Sequence, residues 1–238
     1  MTRNIGSCLL FYVKWPEPGK VKTRLSKHLG GDVAVELYRC FVRDMLNAIR
    51  KTELQLIICY SPSESETQFR DWLGEDYTYV PQRNGDLGDR LHHSFLEAFS
   101  RGFEEVCVVG SDVPTLPSRI LHEAFQSLRE SDSVLGPSGD GGYYLIGFRA
   151  KSYIPEVFQS IPWSTSLVFA ATHKILIQRG NSVAILEEVS DIDTFDDLLS
   201  WFRRTQEQPE VGGITWQCCK AMARSQKLFK GLIDADLP

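Results

Sequence analysis

What this sequence lacks narrows its chemistry before any motif is read. It has six cysteines, at 8, 40, 59, 107, 218 and 219, with no Cys-x-x-Cys pair and no Cys/His spacing suited to zinc. Most sit inside apolar segments, so they read as reduced core thiols and exclude a disulfide framework. There is no Walker sequence and no Gly-x-Gly-x-x-Gly after a strand, which excludes a P-loop and a dinucleotide fold. Positive charge is not in excess: the net charge is −5, so a general nucleic-acid coat is excluded and any anion site must come from a local arrangement of cations. Long apolar runs are missing as well. Cys8–Val13 is too short for a signal-peptide core, and no other segment approaches a membrane span. The chain therefore reads as soluble and cytoplasmic, with no nucleic-acid partner. Internal repeats and low-complexity linkers are also absent.

What is present is a regular alternation of strand-like and helix-like segments. With 238 residues, 42% of them hydrophobic, the chain can bury a full core as one large domain or as a domain with an appendage. Strands are predicted at 7–13, 54–60, 77–80, 106–109, 133–135, 143–148 and 182–186. Helices are predicted at 33–49, where Val33, Leu37, Phe41, Met45 and Ile49 share a face, and at 63–73, 87–100, 117–129, 165–179 and 195–204. This alternation implies a three-layer α/β/α fold with a mostly parallel sheet. Gln206 to Gly213 departs from any period. The expected organisation is a domain over 1–204 and a helical extension over 205–238, with a helix at 214–232 packed on the same domain. Lys220, Arg224, Lys227 and Lys230 in that tail read as a solvated face.

Five segments carry possible chemistry. The first follows the first strand: Pro16, Pro18 and Gly19 form a rigid turn among Lys14, Lys20, Lys22 and Arg24. Such a loop is either a phosphate cradle, in which Arg grips oxygens bidentately, or a solvated basic surface. In the second, Gln82, Gly85, Asp86, Gly88 and Arg90 lead into a helix. Gln82 could read a base edge and the glycines could admit a flat ligand, while an N-cap aspartate is the structural alternative. The third is Asp112, delivered at the end of the strand 106–109 and followed by Pro114. There it is either a hard oxygen ligand for Mg²⁺ or Mn²⁺ or an Asx-turn acid. The fourth is Asp140 among three glycines, more than a hairpin between Leu135 and Leu145 needs, which favours a ligand-facing loop. The fifth is Asp191 and Asp193 after the last strand. Asp193 could add a second metal ligand, or it or Thr194 could cap the next helix.

Taken in order, Phe11-x-x-Lys14-x-Pro16-x-Pro18-Gly19-x-Val21-Lys22-Thr23-Arg24-Leu25, Gly85-Asp86-Leu87-Gly88-Asp89-Arg90-Leu91, Gly110-Ser111-Asp112-x-Pro114-x-Leu116, Asp140-Gly141-Gly142-Tyr143-Tyr144-Leu145-Ile146-Gly147, Trp163-Ser164-Thr165 and Asp191-Ile192-Asp193-Thr194 resemble the bacterial selenodomain-associated transferases. Those proteins are glycosyltransferase-A-like. They are similar to nucleotide-diphospho-sugar transferases and, more distantly, to the molybdenum-cofactor and phospholactate guanylyltransferases. The resemblance spans about residues 7–204. It implies a nucleotide-diphospho-sugar transferase fold, with Lys14, Lys22, Arg24, Gln82, Asp86, Gly88 and Arg90 on the nucleotide and its phosphates. It further implies Mg²⁺ or Mn²⁺ on Asp112 and Asp193, Asp140 at the acceptor as orienting group or base, and Gly141, Gly142, Tyr143, Trp163, Ser164 and Thr165 on the acceptor side. The expected activity is metal-dependent transfer from a nucleotide-diphospho-sugar to an unidentified acceptor. Two alternatives stand beside it: nucleotidyl transfer from a nucleoside triphosphate to a phosphorylated acceptor with release of pyrophosphate, and a non-catalytic nucleotide-binding module. One departure bears on the choice. Glycosyltransferases of this fold carry an acid-x-acid pair, whereas residues 110–114 read Gly-Ser-Asp-Val-Pro.

Overall fold

The structure, a computed structural model, describes residues 6–225. In chain order its elements are β1 (Ser7–Lys14), α1 (Thr23–Leu29), α2 (Gly31–Arg50), β2 (Gln55–Ser61), α3 (Glu66–Leu73), β3 (Thr78–Pro81), α4 (Leu87–Ser100) and β4 (Glu105–Val109). There follow α5 (Ser118–Glu130), β5 (Ser133–Pro137), β6 (Tyr143–Arg149), α6 (Val168–Gln178), β7 (Val183–Ile185), α7 (Phe195–Glu207) and α8 (Gly213–Ser225). No helix among the described residues is long and apolar enough to cross a membrane. The chain forms two compact units. Of the described residues, one comprises 6–14, 48–111 and 116–190, and the other comprises 15–47, 112–115 and 191–225.

The first unit holds the whole sheet. Its strand order is β3-β2-β1-β4-β6-β5-β7. All pairings are parallel except those of β6, which runs antiparallel to both β4 and β5. The inner strands read as continuous apolar runs because both faces are covered. Cys8, Leu10, Val106, Val108, Ile146 and Phe148 pack on one face with Leu91 and Phe95 of α4 and Leu176 of α6. Leu9, Phe11, Cys107, Val109 and Leu145 alternate with them and are equally buried, and α5 brings Ile120, Leu121, Phe125 and Leu128 against β4, β5 and β6 from the opposite side. The result is the expected three-layer, mostly parallel α/β/α arrangement.

The second unit is helical. Leu25 and Leu29 of α1, Leu37 and Phe41 of α2, Leu198, Trp201 and Phe202 of α7, and Trp216, Cys219 and Met222 of α8 form its core around Ile192. Asp44 of α2 starts α8 by accepting from the Ile214 and Thr215 amides at 2.8 and 2.7 Å, which satisfies two of the donors a helix leaves free at its N-terminus. The expected C-terminal helix is described over Gly213–Ser225; its expected residues 226–232, with Lys227 and Lys230, lie outside the described residues. All six cysteines are free thiols, with Cys218 half-buried and the others buried. Burial pushes the Cys8 thiol up to about 12.

The helices differ from expectation in several places: α1 is unexpected, α3 begins at Glu66 rather than at 63, α6 begins later than expected, and α7 runs to Glu207 rather than to 204. The basic loop ends at Lys22, where α1 begins; its short apolar pair, Leu25 and Leu29, lies one turn apart and is too brief a pattern to separate from a loop. Helix α6 begins at Val168 rather than at Thr165 because the Thr165 hydroxyl donates to the Pro162 carbonyl at 2.7 Å and accepts from the Leu167 amide, making a turn of its own.

Within the sheet unit, Asp132 ties β5 to the segment before β7. Its carboxylate accepts from the Ser152 hydroxyl at 2.6 Å and from the Ser182 amide and hydroxyl at 3.0 and 2.8 Å. The Ser152 hydroxyl first, and then Ser182, hold this carboxyl below its ordinary range. A depressed folded-state pKa contributes stability above the unfolded value, and that contribution disappears as pH falls through the folded one. Asp132→Asn is expected to lower unfolding free energy at neutral pH by about 1–3 kcal/mol, with partial exposure favouring the lower half of that range. Urea titrations should show the gap closing below about pH 4; a gap that stays constant with pH would contradict this account.

Candidate functional site

In the helical unit, four charged side chains from three separated segments converge. Lys22 is the centre. Its backbone is left-handed (φ 46, ψ 45), at the N-cap of α1, and its side chain is only 2% exposed. The ammonium lies 2.5 Å from Asp112 Oδ1 and 3.7 Å from Asp193 Oδ1, and donates to the Ile192 carbonyl at 2.7 Å. The Phe41 ring covers it from another side, with its centroid 5.3 Å away. Arg24, one residue into the first turn of α1 and well exposed, donates from Nη1 to Asp193 Oδ2 at 2.9 Å.

The acidic segments are fixed by backbone bonds. The Ile192 amide donates to the Asp112 carbonyl at 3.0 Å, so the chain after β4 and the chain before α7 run side by side there. Thr194 caps α7 through a reciprocal capping box with Asp197. Asp197 Oδ2 also accepts from the Asp193 and Thr194 amides at 3.2 and 2.7 Å. Burial pushes the Asp197 carboxyl up, but the Thr194 side chain and amide, the Asp193 amide and the Lys22 charge together hold it below its ordinary range. Of the two capping alternatives the sequence offered, the cap falls to Thr194, which leaves Asp193 facing the cations. Asp197 was not singled out from the sequence, although its position three residues after Thr194 is a capping-box spacing.

The donor set fits a hard divalent ion. Two carboxylates converge on a single cation, here the Lys22 ammonium, and Mg²⁺ characteristically uses one or two carboxylates with substrate phosphates and water. Among the described residues no group of three or more His, Cys, Asp or Glu side chains is arranged to hold a metal. Any ion held by this pair would therefore draw its remaining ligands from substrate or water.

In the sheet unit, the other residues singled out from the sequence fall into two groups. Lys14 is exposed at the end of β1. Gln82 is buried, and its side-chain amide donates to the Cys59 carbonyl at 2.7 Å, so it extends the edge of the sheet. Asp86 caps α4 in a capping box with Asp89, and Arg90 Nε donates to the Gly85 carbonyl at 3.1 Å. That is the structural alternative for this loop.

Gly88 is buried in the first turn of α4, where a Cβ would lie 2.5 Å from the Phe158 carbonyl oxygen and 3.1 Å from the Trp163 ring. Trp163 also meets Tyr143 edge to face at 6.5 Å. Asp140 Oδ1 accepts from the Ser138 hydroxyl at 2.5 Å and the Gly142 amide at 2.9 Å. Gly141 has φ 85 and a Ser166 backbone so close that no side chain fits. Its carbonyl accepts from Phe169, which ties this loop to the start of α6. Ser164, at φ 64, is left-handed in the same region. These contacts bring Gly88, Gly141, Gly142, Tyr143, Trp163, Ser164 and Thr165 into one connected part of the sheet unit.

Packing at Gly88 generates a test. If close approach of Trp163 and Phe158 dictates glycine, Gly88→Ala should destabilise the ligand-free protein by about 1–3 kcal/mol, the cost of overpacking. A glycine kept only for a ligand would leave the ligand-free melting temperature unchanged.

With this geometry in view, comparison with known proteins is informative. A curated relative, the 2-phospho-L-lactate guanylyltransferase of Archaeoglobus profundus, is 29% identical over 189 residues, covering 77% of this chain and 78% of its own length. A crystal structure of a "putative nucleotide-diphospho-sugar transferase" from Desulfovibrio desulfuricans G20 is 37% identical, with a TM-score of 0.89 over 95% of this chain and 97% of that one. At fold level alone, Rv0371c of Mycobacterium tuberculosis H37Rv, solved in complex with manganese, matches with a TM-score of 0.51 at 16% identity over 85% of this chain and 98% of its own. Over most of its length the chain is thus similar to transferases of nucleotidyl or nucleotide-diphospho-sugar type. The family described as "Uncharacterized protein conserved in bacteria (DUF2064)" matches residues 45–165, half of the sequence, and the chain belongs to that family.

Proposed function

We propose that this enzyme is a nucleotidyltransferase, which joins a nucleoside monophosphate unit from a nucleoside triphosphate to an anionic acceptor and releases pyrophosphate. The carrying observation is the concentration of two cations and two carboxylates, Lys22, Arg24, Asp112 and Asp193, in one cluster of the helical unit. Such a set matches a metal-bound polyphosphate, whose oxygens need cations and whose ion needs hard oxygen ligands. Two further points favour nucleotidyl over sugar transfer. The strand-end motif offers a single acid before Pro114 in place of an acid-x-acid pair. The guanylyltransferase relative is similar over three quarters of both chains.

In this reading Asp112 and Asp193 hold Mg²⁺ or Mn²⁺, which would neutralise charge on the departing pyrophosphate. Lys22 and Arg24 take phosphate oxygens: Arg24 through its planar fork, Lys22 as a point charge. Charge developing on the leaving group is thereby met by groups already in place. Asp86, Gly88 and Arg90 shape the turn that opens α4, and Gln82 holds its base against β2. We assign that turn, together with Lys14, to the nucleotide. The loop with Gly141 and Gly142, and the segment with Tyr143, Trp163, Ser164 and Thr165, are assigned to the acceptor. Asp140, committed to Ser138 and Gly142, acts by fixing the loop.

Transfer from a nucleotide-diphospho-sugar is the second reading, favoured by the description of the Desulfovibrio structure. Products separate the two. Incubation with Mn²⁺, a set of nucleoside triphosphates and a cell extract as acceptor source is expected to release pyrophosphate above an Asp112→Asn control. Release of nucleoside diphosphate from sugar nucleotides, with no pyrophosphate from triphosphates, would replace the first reading by the second. Arg24→Ala is expected to weaken triphosphate binding by about 1.5–3 kcal/mol while leaving nucleoside binding unchanged, because only the former presents oxygens to the guanidinium.

A further inference from the structure

The cations assigned to phosphate and the carboxylates assigned to metal are, in this structure, partners of one another. Lys22 and Arg24 carry two positive charges and pair with the two negative ones of Asp112 and Asp193, while the Asp197 carboxylate, held on the Asp193 and Thr194 amides, also feels the Lys22 charge. Resting on the functional reading above, we propose that this pairing makes Lys22 a specificity-determining residue. It closes the acidic pair to a free divalent ion and is itself unavailable to a free polyphosphate, so the site accepts the two only as a metal–polyphosphate complex.

A divalent ion arriving alone must share Asp112 and Asp193 with an ammonium 2.5 Å from one and 3.7 Å from the other, or displace that ammonium from its bonds. Displacement has nowhere convenient to lead. The side chain is 2% exposed, the Phe41 ring lies on one side and the Ile192 carbonyl takes another donor, so water does not readily replace the lost partner. A polyphosphate arriving alone meets the mirror problem: to take Lys22 and Arg24 it must lie against two carboxylates stripped of their cations. When ion and polyphosphate arrive together, every charge exchanges one opposite partner for another. No like charges are left facing each other. Coupling of this kind is reciprocal and typically amounts to about 5–150-fold in affinity.

The left-handed backbone of Lys22 belongs to the same device. A non-glycine residue persists there only when its surroundings over-determine it, and the three contacts of the ammonium supply that constraint. Arg24 contributes less to the closure, since its side chain is 59% exposed and, of the two acids, it pairs with Asp193.

The test uses the whole chain with three probes: Mn²⁺ alone, followed by the electron paramagnetic resonance signal of free Mn²⁺; inorganic triphosphate in EDTA; and preformed Mn²⁺–triphosphate, both by calorimetry. Wild type is expected to bind Mn²⁺ alone at least about 5-fold more weakly than Lys22→Met does, and inorganic triphosphate alone at least about 5-fold more weakly than it binds Mn²⁺–triphosphate. Lys22→Met keeps the stem and removes the charge, so its Mn²⁺ affinity should rise while its affinity for Mn²⁺–triphosphate falls. Arg24→Gln, at an exposed position that tolerates change, should show a smaller rise in Mn²⁺ affinity and serves if Lys22→Met does not fold. Equal Mn²⁺ affinity in wild type and both variants overturns the inference. Binding of Mn²⁺–triphosphate to wild type is read separately: its absence defeats the functional reading, whereas its presence with unchanged Mn²⁺ affinities defeats only the role given to Lys22.

Discussion

One ammonium group organises the helical unit's charged cluster. Lys22 Nζ draws together Asp112, which follows β4, and Asp193, which precedes α7, and it also ties down the carbonyl between them in the chain segment 191–193. The exposures are unequal: 2% for the lysine side chain against 51% for Asp112 and 36% for Asp193. Water already solvates much of the carboxylates' charge, so the buried cation is the group that depends most on the arrangement. That dependence explains why a lysine tolerates a left-handed backbone at the start of α1. It also explains why the Asp112 carbonyl and the Ile192 amide, bonded at 3.0 Å, must be fixed before the site exists.

Around that interaction the rest of the helical unit acts as support. The capping box of Thr194 and Asp197 sets the direction of α7 and leaves the Asp193 side chain toward Lys22 and Arg24. Ile192 buries its side chain in the core of α1, α2, α7 and α8 while its carbonyl accepts from Lys22. A single residue thus joins packing to electrostatics. A change in the apolar core around Ile192 should therefore reach the charged cluster, which is built on the same short segment.

The sheet was legible because its signals are local and strong. Unbroken β-branched runs such as Val106 to Val109 read as buried strands, and strands recurring between helical periods implied parallel pairing. The antiparallel β6 left no mark in its own sequence, since the direction of a strand depends on its connections and not on its residues. Helix α1 escaped for lack of length. For the site, the residue types were readable but their partners were not. Lys22 and Asp112 are ninety positions apart, and nothing in either segment says that they meet at 2.5 Å. Gln82 shows the reverse difficulty: its amide suits a base edge, but the Cys59 carbonyl of β2, brought beside it only by the fold, takes its donor. The capping roles of Asp86 and Thr194 were visible as spacings, because caps are local.

Nucleotidyl transfer and sugar transfer differ in where the α-phosphorus of the nucleotide goes. Incubating the enzyme with Mn²⁺, nucleoside triphosphates carrying ³²P at the α position and a cell extract should place the label, in phosphatase-resistant form, on an anionic acceptor, and Asp112→Asn should abolish that product. Label confined to free nucleotides, together with passage of a labelled sugar from a sugar nucleotide onto an acceptor, would contradict nucleotidyl transfer.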